Sequence, residues 1–121
     1  MLIKFIKPDF EFSDDRGSLK QLVHNGWKQV NYITSVEGSF RGDHYHKENQ
    51  EAFFVISGEF ELTLEHIKTH EKAHYTLKKG DFFIIYPEVM HSFLYKKDTS
   101  LISMYNYGVE RPDGEKDIFT L

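Results

Sequence analysis

The chain has 121 residues, 40% hydrophobic and 28% charged, with a formal net charge of −4, so a single domain spanning 1–121 is expected and a disordered chain is excluded. Both signs of charge are scattered without a basic run, which argues against nucleic acid as a partner. The lack of cysteine excludes disulfides and thiolate metal sites and fits a reducing compartment.

The N-terminal MLIKFIKPDF is too short and interrupted for a signal peptide, and no apolar run reaches the length of a membrane span. No membrane partner and a cytoplasmic location are therefore expected. The LIKFIK strand is expected to pair with a second copy and cover an exposed edge, which predicts a homodimer. Further on, apolar runs are short and aromatic: QVNYITSV (29–36), AFFVIS (52–57), EFELTLE (59–65), DFFIIY (81–86), HSFLY (91–95) and LISMYNY (101–107). Eleven Phe and seven Tyr suit the pleated faces of strands. EFELTLE alternates strictly, as a half-buried strand does. Gly38, Gly42, Gly58, Gly80 and Pro87 separate the runs, and ISGEFEL reads as a tight hairpin with Gly58 at positive φ.

The polar stretch 66–81 reads as a protruding hairpin. His66, His70 and His74 within it are spaced for a helix, but nothing else there is helical, so a solvated hairpin is expected. Trp27 is expected to pack in the core or at an interface. The C-terminal GVERPDGEKDIFTL reads as a tail with turns packed at an edge. No stretch shows a capped 3.6-residue period. Roughly eight to ten short strands at this spacing imply an all-β sandwich or barrel.

One segment carries chemistry. HYHKENQE (44–51) places His44 and His46 two apart, on one face of a strand. A turn at KEN would return Glu51 beside them, and His91 lies beyond two further hairpins. Two readings are open: a polar hairpin facing water, or a metal or acid–base centre. Three imidazoles and a carboxylate suit one divalent transition ion per chain, such as zinc, iron, manganese, nickel or copper.

From Gly38 the spacing runs five residues, His44, one, His46, four, Glu51, six, Gly58. This resembles the first signature of the cupin superfamily at each fixed position. The second signature is met at Gly80 and His91, while Tyr86, Glu88 and Tyr95 stand where the family has Pro, Gly and Asn. The two stretches, 38–58 and 80–95, imply a cupin jelly-roll β-barrel, a double-stranded β-helix, with ligands inside its mouth. DDRGSL (14–19) and RGDHYHK (41–47) further resemble cupins acting on nucleotide-linked keto-sugars, through Asp14, Arg16, Gly17 and Arg41, Gly42, His44, His46. These relatives are rhamnose-type 3,5-epimerases, sugar 3,4-ketoisomerases and the cupin domain of capsule-biosynthesis enzymes. RGDHYH with Glu51 is similar to the capsular type, which carries a metal. Lys47 and EVMHSF are similar to the ketoisomerases, which have Gln at the position of Glu51 and work without metal.

The resemblance implies an isomerase or epimerase of nucleotide-linked 4-keto-sugars in surface-polysaccharide biosynthesis. With metal (zinc, iron, manganese or nickel), His44, His46, Glu51 and His91 are the ligands, and the base comes from Tyr32, Tyr86 or His24, Tyr45 pointing away. Without metal, His44 and His46 are the acid–base pair. Arg16 and Arg41 are expected to hold diphosphate or polarise the carbonyl, with Tyr86 at the substrate; the alternative for both arginines is surface pairing with Asp14, Asp15 or Asp43. The rival functions are a metal-dependent cupin oxygenase and a non-catalytic sugar-binding or sensor cupin.

Overall fold

A computed structural model describes residues 1–120. Among them are twelve strands and no helix: β1 (Ile3–Phe5), β2 (Phe10–Asp14), β3 (Gly17–Gln21), β4 (Gln29–Ser35), β5 (Phe40–Tyr45), β6 (Glu51–Ser57), β7 (Glu59–His66), β8 (Lys72–Lys78), β9 (Phe82–Ile85), β10 (Val89–Tyr95), β11 (Thr99–Tyr105) and β12 (Phe119–Thr120). The six aromatic runs return as β4, β6, β7, β9, β10 and β11, with ends shifted by one or two residues. Two five-stranded antiparallel sheets result, ordered β1-β9-β6-β11-β4 and β12-β5-β10-β7-β8, with β2-β3 as a separate ribbon. Among the described residues no helix is long and apolar enough to cross a membrane.

Alternation decides which side chains meet between the sheets. On β7, Phe60, Leu62 and Leu64 are fully buried while the intervening Glu59, Glu61 and Thr63 face outward. They pack with Phe53, Val55, Phe83 and Leu101 of the first sheet and Phe93 and Tyr95 of β10. β6 is buried on both faces, because Ala52 and Phe54 lie under a second cluster that includes Trp27 and Leu22. Gly58 joins β6 to β7 at φ 100°, and a Cβ there would collide with Thr99, so the hairpin requires glycine.

Three segments read from the sequence take definite places. The LIKFIK segment forms β1 and pairs in its own chain, Ile3 opposite Ile85, because Leu2 enters the core and Ile6 packs on the second cluster. One side of β1 is thus used within the chain, while β1 remains the edge strand of its sheet with its other side unpaired among the described residues. Exposed apolar surface also lies on the β2–β3 ribbon, at Phe10, Phe12 and Leu19. Stretch 66–81 is a hairpin, yet its second arm is β8, an edge strand with Leu77 buried. The C-terminal tail packs at an edge as expected: after its turns it supplies β12, which pairs with β5 at the edge of the second sheet.

Candidate active site

His44 and His91 are brought together by the pairing of β5 with β10. His91 sits opposite His44, and a bulge follows between His91 and Ser92. A bulge turns a side chain locally and tightens twist. The strands approach so closely that a Cβ on Gly42, at φ 131°, would lie 2.5 Å from the His91 carbonyl oxygen. His46 follows the end of β5, and Glu51 opens β6 across a short turn. Glu88, standing where the cupin pattern has glycine, adopts φ 66° and donates its N–H to the His46 carbonyl at 2.7 Å. The position keeps the left-handed backbone without the residue that favours it.

The three imidazoles converge. One ring nitrogen from each of His44, His46 and His91 lies within 4.8 Å of the others. Ring centroids are 4.6 Å apart for His44–His91 and 5.4 Å for His46–His91. Glu51 completes the group: its Oε1 lies 3.1 Å from His46 Nε2 and 3.5 Å from His91 Nε2, and its Oε2 accepts the Ser103 hydroxyl at 2.9 Å. Glu51 is only 3% exposed and His91 1%.

Hydrogen bonding fixes how the rings present themselves. His46 Nδ1 lies 2.6 Å from the Asp117 carbonyl and His91 Nδ1 3.1 Å from the Val89 carbonyl. A carbonyl only accepts, so each Nδ1 carries the hydrogen and each Nε2 faces the centre. His91 Nε2 is buried without a hydrogen-bond partner among the described residues. Burial, reinforced by His91, pushes His44 down to about 4. Burial pulls His46 the same way, but Glu51 outweighs it and raises His46 above its ordinary value. Burial would raise Glu51; His46 and His91 instead hold it well below the carboxylate range. Burial and the Glu51 charge push the Tyr105 phenol far up.

His44, Glu51 and His91 line a cavity of about 390 Å³, and His46, buried at 3% exposure, stands behind them without lining it. His44, Glu51, His91, Arg41 and Tyr105 supply its polar side; Ile33, Phe53, Phe93 and Leu101 supply an apolar wall. Arg41 donates from Nε to Ser35 Oγ at 2.9 Å and from Nη2 to the Thr34 carbonyl at 3.2 Å, and among the described residues it pairs with no carboxylate. Its remaining N–H donors are available to a ligand.

Other expected residues are not brought here. Tyr32 is 66% exposed, because on β4 it is Ile33 that turns into the cavity and Tyr32 alternates outward. Arg16 lies on the β2–β3 ribbon, bonded to Asp14 at 2.6 Å, and that ribbon joins neither sheet. Tyr86 packs against the core and His24 pairs with Asp9 at 2.5 Å, so neither lines the cavity. Sequence reasoning passed over Ser103, Tyr105, Asp117 and Ile118. The first two share a strand face with Leu101 by simple alternation; the last two carry no local signal.

The donor set fits a divalent transition ion. Two imidazoles turn Nε2 inward from a fixed Nδ1–H, one of them an orphaned buried nitrogen, and a buried carboxylate stands beside them.

Known structures share this architecture. QdtA, a sugar 3,4-ketoisomerase from Thermoanaerobacterium thermosaccharolyticum in complex with TDP, superposes with a TM-score of 0.80 at 20% identity, over 98% of this chain and 88% of that one. The rmlC epimerase of Mycobacterium tuberculosis gives 0.76 at 16% identity, over 98% and 68%. CapF gives 0.69 at 25% identity over 93% of this chain, which spans 33% of CapF. The double-sheet roll is thus the RmlC-like cupin fold. No curated protein sequence matches the chain. The model of one family, described as the polysaccharide biosynthesis C-terminal domain, matches residues 12–107, which takes in all four converging side chains and Arg41, and the chain belongs to that family.

Proposed function

We propose that the chain is an isomerase of nucleotide-linked 4-keto-sugars in surface-polysaccharide biosynthesis, working by epimerisation or ketone migration. The carrying observation is the meeting of three imidazoles and a buried carboxylate, three of the four lining a cavity with an arginine in its wall that pairs with no carboxylate among the described residues. The family match supports it, as does QdtA, whose structure is known with TDP-4-keto-6-deoxyglucose.

A ketone acidifies the C–H bonds beside it, so the reaction needs a base, an acid and stabilisation of an enolate. Arg41 offers planar donors to the diphosphate or to the enolate oxygen. Tyr105, held protonated beside Glu51, lines the cavity with them. A divalent ion (zinc, iron, manganese or nickel) would be held by His44, His46, Glu51 and His91 and would supply Lewis-acid stabilisation of charge on a substrate oxygen. A metal-free form has its own support. With Nδ1–H given to Asp117, His46 bonds Glu51 through Nε2 only as an imidazolium, while His44 stays neutral. Two neighbouring groups pushed apart in this way suit an acid and a base.

Incubation with TDP-4-keto-6-deoxyglucose in D2O is expected to place deuterium beside the carbonyl, with about one metal per chain by elemental analysis. His46→Ala is expected to lose the metal and on the order of 10²–10⁴-fold of the rate. Turnover by the metal-free wild type that is lost in His46→Ala selects the acid–base form. No exchange with any nucleotide-linked 4-keto-sugar overturns the proposal, and oxygen uptake would point to an oxygenase.

A homodimer and a cytoplasmic location, where activated sugars are made, belong to this reading. An isolated two-stranded ribbon is marginal in water, and β2–β3 exposes Phe10, Phe12 and Leu19. Sedimentation at micromolar concentration is expected to give the dimer mass; a monomer refutes it.

A further inference from the structure

The segment after β11 grips the site. Asp117 is fully buried. Its carboxylate accepts the N–H groups of Lys47 at 2.8 Å, Glu48 at 3.0 Å and Asn49 at 3.0 Å, and the Asn49 side-chain amide at 2.8 Å. Burial would raise this carboxyl, yet the amides of Lys47 and Asn49 hold it below its usual range. Those amides form the turn between His46 and Glu51. The carbonyl of the same residue accepts the His46 Nδ1–H at 2.6 Å. Beside it, Ile118 lines the cavity and Phe119 packs on Tyr45, with the Lys47 ammonium 4.1 Å over its ring.

We propose that Asp117 is a positioning residue for His46: its carboxylate locks the turn that carries the ring, and its carbonyl fixes which nitrogen faces the centre. Three backbone N–H groups of that turn have this carboxylate as their acceptor, so removing it leaves them without one and leaves the carbonyl held only through the Asp117 N–H on the Val109 carbonyl. An imidazole released from its partner rotates and changes tautomer, which weakens whatever its other nitrogen does. Asp117 lies outside the stretch 12–107 matched by the family model, so family membership does not assign it this role.

The test uses ¹⁵N-labelled full-length chain freed of metal by a chelator, followed by proton exchange at the His46 ring. The wild type is expected to show a slowly exchanging Nδ1–H. In Asp117→Ala that proton is expected to exchange at least about tenfold faster. Asp117→Asn, which keeps one acceptor oxygen and sets an NH2 against a donor, is expected to fall between. In chelator competition, zinc binding is expected to weaken about 10–100-fold in the variants, with kcat reduced and KM within about twofold. This second arm rests on the proposed metal centre; the proton-exchange arm does not. A wild type without zinc affinity therefore removes the metal reading and leaves the proton exchange to decide on Asp117. Should Asp117→Ala fail to fold, Asp117→Asn and the wild type carry the measurement. No protected Nδ1–H in the wild type, or equal protection in a folded variant, overturns the proposal.

Discussion

Glu51→Ala is expected to lower stability by about 3–5 kcal/mol, because it strips a buried charge pair of one partner. Glu51 is 3% exposed and is the acidic neighbour of both His46 and His91, at 3.1 and 3.5 Å. Without it the His46 imidazolium has no counter-charge, and the Ser103 hydroxyl loses its acceptor. For a chain of this size the loss corresponds to a fall in Tm of about 10–20 °C, read by calorimetry of the metal-free protein. Glu51→Gln keeps the volume and the Ser103 bond while removing the charge, and it separates the two chemical forms. If the four groups hold a metal, the amide is a poor ligand, the metal is lost, and turnover falls on the order of 10²-fold or more. If His44 and His46 work as an acid–base pair, no metal is needed but the amide no longer raises His46, so turnover is expected to stay within about tenfold at acid pH and to fall away at a lower pH than in the wild type. A Gln variant as stable as wild type in its metal-free form would show that the buried carboxylate charge contributes nothing.

The strands were legible wherever one face was apolar and the other polar. EFELTLE is the clear case, and its Phe60, Leu62 and Leu64 are buried as the alternation requires. The pairing of His44 with His46 was legible because a strand repeats every two residues. The same rule misled at QVNYITSV. There Val30 and Tyr32 face solvent, while Asn31 and Ser35 turn inward together with Ile33. A strand that lines a polar cavity inverts the pattern by which a core strand is recognised, so Tyr32 looked like an inward residue and is an outward one. LISMYNY failed differently. β11 is buried on both faces, Met104 and Ile102 under the second cluster and Leu101 against the first, so no alternation singled out Ser103 and Tyr105. Asp117 had no local signal at all, since its contacts reach back across some seventy residues to the His46–Asn49 turn. Side chains that act through distant backbone become visible only when the chain is folded.

The metal-free protein is expected to be most stable near neutral pH and to lose stability on both sides, more steeply toward acid. His44 carries most of the acid limb. Burial, then the neighbouring His91, push its pKa from 6.5 down to about 4. Between those values the unfolded chain takes up a proton that the folded chain refuses, so stability falls as pH drops from 6.5 toward 4. The gap (6.5 less about 4) would be worth about 3.4 kcal/mol undiluted, and solvent at the cavity mouth, where His44 is partly exposed, reduces it to about 2 kcal/mol. Glu51 acts in the same direction. Burial opposes its charge, but His46 and His91 hold its folded pKa below the ordinary value; its stabilisation is complete above the unfolded carboxylate pKa and is lost as pH falls through the folded one. His46 has the opposite sign. Burial disfavours its charge, yet Glu51 raises its pKa above 6.5, so its contribution is full below 6.5 and fades as pH climbs through the raised value. Urea midpoints measured from pH 4 to 9 in the presence of a chelator trace the curve. His44→Asn is expected to flatten the segment between 6.5 and 4 and to leave the alkaline limb in place. An acid limb as steep in His44→Asn as in the wild type would mean that His44 is not buried against His91, and the convergence of the three imidazoles would fail with it.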